Sequence, residues 1–403
     1  MKIGIYGGTF NPPHLGHLAA AQAAVGALGL DRLFIVPASI PPHKELPGDT
    51  PGPEHRLAMA EKMADALLMP QVVQLSQMEL NRKGKSYTAD TLAALREEYP
   101  EAELWLLMGT DMFLTLHRWY EPERILNLAG ICAFGRTEED GEEVFAPQRE
   151  YLEKNFPGAR ITTITLPDLV DVSSTRLREL LARGEGRDYL HPAVYGYILM
   201  NRLYGTCADL KHLDIPELRA CSYSMVMQKR VRHIRGTEEE AVRLARRWGA
   251  DEDHARRAGI LHDCTKYLEL EEQLELCETY GVELDELEHR AVKLLHSKTG
   301  ACIARHVFGE PDEVFDAIFW HTTAKENMTT LEKILYVADY MEPNRTFEGV
   351  ERLRRLAYSN LDAALLLGVE TTIQEMKDRS LPVHQSTLRA QAWLRERGVT
   401  TEE

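Results

Sequence analysis

The chain has 403 residues, more than one ordinary hydrophobic core holds, so two domains are expected. An apolar fraction of 44% and a charged fraction of 27% are those of a soluble globular protein. The formal charge of −16 argues against nonspecific nucleic-acid binding, which needs a basic face, although net charge does not describe local grooves. Cys132, Cys207, Cys221, Cys264, Cys277 and Cys302 are scattered with no CxxC pair, which speaks against a disulfide framework or a structural zinc. No signal-like segment precedes the first strand and no apolar run has bilayer length, so a reducing cytoplasm is the expected compartment.

Short apolar strands alternate with helical patterns through the first half, which predicts a mostly parallel sheet covered by helices. Strands are expected at Lys2 to Tyr6, Arg32 to Pro37, Gln71 to Leu75, Glu103 to Met108, Gly130 to Phe134 and Ile161 to Leu166. Helices are expected at Pro53 to Leu68 and Ala89 to Glu98, and the acidic run Glu138 to Glu143 reads as a solvated loop. From about Ile215 the pattern becomes amphipathic helix, with apolar residues three and four apart. The boundary is therefore expected between Gly205 and Asp214, giving domains over 1–206 and 215–403.

The first strand runs into Gly7-Gly8-Thr9-Phe10-Asn11, and His14 and His17 fall where a helix should begin. Just past the carboxyl end of a parallel strand, the N–H groups of such a turn can face a phosphate, and the glycines permit close approach. The positive end of the helix favours the same anion. Later, Val172-Ser-Ser-Thr-Arg176 opens a helix expected over Arg176 to Ala182. Hydroxyls of Ser173, Ser174 and Thr175 with Arg176 one turn on read as a second anion cradle. Gly84-Lys85-Ser86 is not a P-loop, because no glycine stands five positions before Gly84.

In the second half, His262-Asp263 ends an apolar helix, Ala255 to Leu261. His233, His296, His321 and Asp339 lie on or beside neighbouring helical patterns. An ordered set of histidines and carboxylates on several helices can assemble a metal centre inside a bundle.

The turn with His14 and His17 resembles the HxGH signature of nucleotidyltransferases, and Ser173 to Arg176 resembles their (I/S)SSTxxR phosphate element. Pro41-Pro42-His43-Lys44, Lys85-Ser-Tyr-Thr-Ala-Asp-Thr91, Gly109-Thr110-Asp111 and Trp119 narrow the resemblance to nicotinate-nucleotide adenylyltransferase, over roughly Met1 to Gly205. It implies a Rossmann-like α/β parallel sheet and transfer of AMP from ATP to nicotinate mononucleotide. Gly7, Gly8, Thr9, Phe10, Asn11, Gly109, Asp111, Ser173, Ser174 and Thr175 would hold nucleotide. Tyr87 and Thr88 would offer backbone amides to the nicotinate carboxylate, and Trp119 would stack on the pyridine ring. The acceptor phosphate is near dianionic, with a second pKa of about 6, and needs no base. His14, His17, Lys44 and Arg176 would align it with ATP and offset charge, beside Mg²⁺ held by phosphate oxygens, with His17 contributing most. No covalent intermediate is implied.

The second set resembles the HD phosphohydrolase superfamily, in its YqeK-like branch, over about Ile215 to Val399. The matching segments are Leu261-His-Asp-Cys-Thr-Lys266, His321-Thr-Thr and Ala338-Asp-Tyr-Met-Glu-Pro343; Lys298-Thr299 beside His296 departs from the pattern. The resemblance implies an all-α HD-domain helical bundle that cleaves diadenosine tetraphosphate symmetrically to two ADP. Its implied metal ligands are His233, His262, Asp263 and Asp339, with His296 and His321 completing a second metal position or contacting phosphate. The mixed nitrogen and oxygen donors favour iron or manganese. Lys266, with Arg230, would steady phosphates. Two other readings stay open: an HD half that is a non-catalytic nucleotide-binding regulatory module, and a transferase acting on phosphopantetheine or nicotinamide mononucleotide. The expected partners are small molecules, with no membrane and no nucleic acid; a homo-oligomer is left open.

Overall fold

Strands β1 (Lys2–Gly8), β2 (Arg32–Pro37), β3 (Val73–Leu75), β4 (Glu103–Gly109), β5 (Ala129–Phe134) and β6 (Ile161–Ile164) form one sheet, ordered β3-β2-β1-β4-β5-β6. Every pairing is parallel. The computed structural model describes residues 1–403 apart from 40–46, 49, 83, 136, 138, 167–169, 171 and 403. It divides into two units, Met1–Cys207 and Ala208–Glu403.

The sheet is covered, so its strands are continuously apolar rather than alternating. β5 is buried at every residue and β2 from Leu33 onward. Leu92, Leu95, Phe113 and Phe145 pack with Ile3, Ile5, Leu104 and Ile131 in one core, while helices Leu15–Leu28 and Pro53–Ala66 lie against β1 and β2. All six expected strands are present, two of them shorter than expected: β3 starts at Val73 and β6 stops at Ile164. The helix from Pro53 ends at Ala66 because Leu68 turns to φ 54°. The acidic loop ends earlier than expected. Glu142 and Glu143 form the first turn of helix Glu142–Asn155, where carboxylates complement the positive helix end.

The chain builds outward from β1 to β3, then returns to place β4 on the other side of β1. The winding reverses there, and the carboxyl ends of β1 and β4, at Gly8 and Gly109, open a crevice.

The second unit is helical from Ile215, and local signals set its helix ends. Asp214 and Glu217 form a capping box at the start of Ile215–Ser224, and Thr329 with Glu332 does the same for Thr330–Met341. Gly249, at φ 72°, closes Gln228–Trp248. The Asp251 carboxylate caps Glu252–Leu261 by accepting from the His254 N–H at 2.8 Å. A Cβ on Gly259 would lie 2.7 Å from Glu238 Cα, so this glycine lets helices Glu252–Leu261 and Gln228–Trp248 cross in close contact. Among the described residues no helix is long and apolar enough to cross a membrane.

Candidate functional site

The crevice beyond β1 and β4 is a cleft of about 310 Å³. Gly7, Gly8 and Thr9 line it, and nothing lies within 4 Å of where a Cβ on Gly7 would stand. The turn leaves that space to a ligand. His14 occupies the N-cap of helix Leu15–Leu28, and His17 Nδ1 accepts from the His14 N–H at 3.2 Å. That bond places the neutral His17 proton on Nε2, a donor suited to a phosphate oxygen. Both rings line the cleft, 3.9 Å apart between centroids.

The other sequence-derived residues divide into several groups. Asn11 lines the cleft with its amide fixed, Oδ1 accepting from the Tyr204 hydroxyl at 2.8 Å and Nδ2 donating to Thr50 Oγ1. Gly109, Asp111, Thr88 and Trp119 also line it. Phe10 does not present its side chain: the ring is buried against Tyr6 and His17, leaving only backbone. The Tyr87 ring packs on Tyr120, 4.4 Å between centroids, and Tyr87 is not among the cleft-lining residues, although Ser86 and Thr88 on either side of it are. Ser173, Ser174 and Thr175 line the cleft, and the Ser173 hydroxyl caps the helix Ser174–Leu181 by accepting from the Arg176 N–H. Lys44 lies outside the described residues.

Arg176 is not among the residues that line the cleft. Its side chain is 54% exposed and paired with Glu179 at 3.0 Å. Arg178, two residues on, lines the cleft and donates to the Asn11 carbonyl at 2.9 Å and to Thr175 Oγ1. The SSTxxR spacing itself points to Arg178, since its arginine falls three residues after the threonine. A second missed residue is Glu79, a buried acid that lines the cleft and accepts from the Thr91 hydroxyl at 2.8 Å. Burial pushes its carboxyl above the ordinary range. No local motif marked it.

In the second unit, His233, His262 and Asp339 gather ligand atoms within 4.8 Å of one another, and Asp263, His296 and His321 do the same. Asp263 joins the two groups: Oδ2 lies 3.4 Å from His262 Nε2, and Oδ1 lies 3.2 Å from His296 Nε2. The close crossing at Gly259 brings His233 and the residues after helix Glu252–Leu261 together. Nδ1 of His262, His296 and His321 each donates to a backbone carbonyl, of Gly259, Lys293 and Ile318, at 2.6–2.8 Å. His233 Nδ1 donates to Glu342 Oε1 at 3.2 Å. In the neutral form of each ring the lone pair would therefore be left on Nε2, the tautomer that ligates a metal.

These donors fit a divalent metal. His233 Nε2 and His262 Nε2 face each other at 3.2 Å, two lone pairs that a shared cation would reconcile, and Asp339 Oδ1 lies 2.9 Å from His233 Nε2. Asp263 Oδ1 is buried without a hydrogen bond. Burial lowers His296 and His321, and neighbouring Lys266 and His296 lower them further, which keeps both rings neutral. Burial would raise Asp263 and Asp339, but His262 and Lys266 hold the first, and His233 the second, well below the usual range. Burial pulls His233 down, yet its bonds to Asp339 and Glu342 lift it above its ordinary value, so the pocket attracts positive charge. Lys266 Nζ donates to His296 Nε2 at 2.9 Å, Arg230 pairs with Asp263 Oδ2, and Arg345 pairs with Asp339 Oδ1 at 3.0 Å. Sequence reasoning missed Glu342, which sits one helical turn after Asp339.

Asp285, Glu288 and His384 repeat the same residue types with the opposite tautomer. There His384 Nδ1 accepts from the Ser386 N–H, which places the ring proton on Nε2, 3.2 Å from both carboxylates. Lys298 Nζ adds a cation 2.6 Å from Glu288 Oε1. This is an ion cluster, not a ligand set.

Residues 5–180 match the cytidylyltransferase-like family model, and residues 230–344 match the HD domain. A probable nicotinate-nucleotide adenylyltransferase of Pelobacter propionicus is 38% identical over 225 residues, covering 51% of this chain and all of that protein. A symmetrical bis(5′-nucleosyl)-tetraphosphatase of Bacillus subtilis is 36% identical over 179 residues, covering 44% of this chain and 96% of that protein. A crystal structure of a predicted HD superfamily hydrolase from Clostridium acetobutylicum, described as involved in NAD metabolism, is 38% identical with a TM-score of 0.45, covering 46% of this chain and 98% of that one. The chain belongs to the nicotinate-nucleotide adenylyltransferase family through its first unit and to the HD-domain symmetrical tetraphosphatase family through its second.

Proposed function

We propose a bifunctional enzyme. Residues 1–206 transfer AMP from ATP to nicotinate mononucleotide, and residues 215–403 hydrolyse diadenosine tetraphosphate to two ADP. The observation that carries the first reading is the convergence of the Gly7–Thr9 turn, His14, His17, Arg178 and Trp119 on one cleft at the sheet's reversal. A phosphate oxygen of the mononucleotide attacks the α-phosphorus of ATP, and the bridging oxygen leaves with pyrophosphate. His17 Nε2–H and Arg178 hold the oxygens on which charge grows, and the turn and helix N-terminus fix the polyphosphate. Lys44 and the backbone of Tyr87 and Thr88 complete the proposed site, with Mg²⁺ arriving on the nucleotide. No protein nucleophile is needed.

The second reading rests on the two ligand groups joined by Asp263. His233, His262, Asp263 and Asp339 would hold iron or manganese, and Asp263, His296 and His321 offer a second position. A metal there lowers the pKa of water and polarises a phosphoryl oxygen when bound. The water oxygen ends on one inner phosphorus, and the bridging oxygen leaves with the second ADP. Lys266 and Arg230 steady the phosphates. The proposed compartment is a reducing cytoplasm, in keeping with six cysteines scattered without a CxxC pair.

The test is product analysis of the purified chain, with ATP and each of three acceptors (nicotinate mononucleotide, nicotinamide mononucleotide, phosphopantetheine), and separately with diadenosine tetraphosphate and Mn²⁺ or Fe²⁺. Preference for an acceptor lacking the carboxylate would remove the assignment of Tyr87 and Thr88. Failure to release ADP from a metal-loaded chain would leave the HD half a binding module.

A further inference from the structure

Arg56 is among the largest fully buried side chains, 1% exposed, on helix Pro53–Ala66. It does not line the cleft, and no motif marks it. Its Nη1 donates to the carbonyls of Thr9 and Ala38, its Nη2 to that of Ser39, at 2.5–3.2 Å, and its Nε is buried with no partner. Among the described residues no carboxylate pairs with it. Burial pulls the guanidinium below its usual value, and the Coulomb attraction of Tyr204 and Glu54 does not restore it. An arginine still stays charged. A buried cation balanced only by carbonyl dipoles is costly.

The three carbonyls explain its place. Thr9 belongs to the cleft-lining turn, and Ala38 and Ser39 follow β2 directly beside it, with the Ala38 N–H donating to the Gly8 carbonyl at 2.8 Å. The carbonyls of Gly8 and Thr9 are thus both occupied by protein donors, so neither is left to repel an anion. We propose that Arg56 is a positioning residue for polyphosphate, turning these carbonyls inward and supplying, from beneath the turn, a positive charge that the nucleotide's phosphates neutralise. The inference rests on the reading of this cleft as the ATP site. Because the field of a unit charge acts in proportion to ligand charge, its removal weakens ATP and pyrophosphate more than AMP.

The test compares Arg56→Lys, which keeps the charge, with Arg56→Met, which keeps much of the volume without it. Binding of ATP, pyrophosphate and AMP to the full chain is measured by calorimetry, with circular dichroism and hydrolysis of diadenosine tetraphosphate checking that each chain is folded. The expected result is a loss of at least about tenfold in ATP and pyrophosphate affinity for Arg56→Met, a smaller loss for AMP, and partial retention in Arg56→Lys. If Arg56→Met unfolds, Arg56→Gln, polar but uncharged, is read in its place. Equal losses for ATP and AMP, or none, in the folded uncharged variant would overturn the inference. Lack of ATP binding by the unsubstituted chain would instead defeat the reading of the cleft.

Discussion

The cleft of the first unit and the buried centre of the second both handle phosphate, but they arrange charge in opposite ways. The cleft presents positive ends and cations, with His17 Nε2–H, Arg178 and a helix N-terminus facing space that a glycine leaves open. It waits for a ligand that brings both the negative charge and the metal. The centre instead holds its own carboxylates, buried Asp263 and half-buried Asp339, among four histidines whose Nδ1 groups face acceptors. It accumulates negative charge first, for a cation, and only then serves an anion. Histidine is the pivot in both. In the cleft Nδ1 accepts and Nε2 donates; in the centre Nδ1 donates and Nε2 accepts.

That contrast breaks most sharply at Asp263. Asp263→Ala removes the oxygen pair joining both ligand groups, and the expected outcome is no detectable ADP release with adenylyl transfer unchanged; loss of both activities in a folded chain would end the two-site reading. His17→Ala should do the reverse, lowering kcat for transfer by about 10²–10³-fold, as expected for one preorganised donor to developing charge. The two arginines sharpen the cleft side. Arg178→Ala should cost about 1.5–3 kcal/mol of ATP binding, while Arg176→Ala should stay within about 0.5 kcal/mol, because its side chain is exposed and paired with Glu179. Equal effects would move the functional arginine back to Arg176. Glu342→Gln should weaken metal binding about 10–100-fold without touching a ligand, since Glu342 orients His233; metal titration of the apo chain reads this directly.

The smallest expected effect concerns the ion cluster that mimics a metal site. Burial pushes Glu288 up, but His384 and Lys298 hold it at about 2. Its folded pKa is depressed, so its stabilisation is present above about 4.3, the unfolded value, and fades as pH falls toward about 2. The urea midpoint of the unsubstituted chain should exceed that of Glu288→Gln at pH 6, and the gap should narrow by pH 3. Added Mn²⁺ should shift neither midpoint through this cluster. A Mn²⁺-dependent gap between the two chains would show that it binds metal after all.

Much of the first site was legible because its parts are local. A strand, a glycine turn and a capped helix follow one another within Lys2–Leu28, and chain order alone brings Gly7, His14 and His17 together. Between the two arginines the SSTxxR spacing already favours Arg178, and the structure adds that Arg178 lines the cleft while Arg176 is exposed. Glu79 and Arg56 were invisible in the sequence. Each acts through carbonyls or hydroxyls contributed by distant segments, Thr91 for one and Thr9, Ala38 and Ser39 for the other.

Residue types and periodicity by themselves determined the alternating strands and helices of the first unit, the all-helical second unit, and the candidate ligands in each. They did so because apolar period, caps and turn residues act over a few positions. Only tertiary structure decided that Asp263 joins two ligand groups and that Glu342, far along the chain, orients His233. Those depend on close approaches such as Gly259 against Glu238, whereas the carbonyls that hold His262, His296 and His321 lie three residues earlier in the same segments. Asp285, Glu288 and His384 show the contrast: carboxylates and a histidine again, but with a backbone N–H at Nδ1 in place of an acceptor, form a salt cluster.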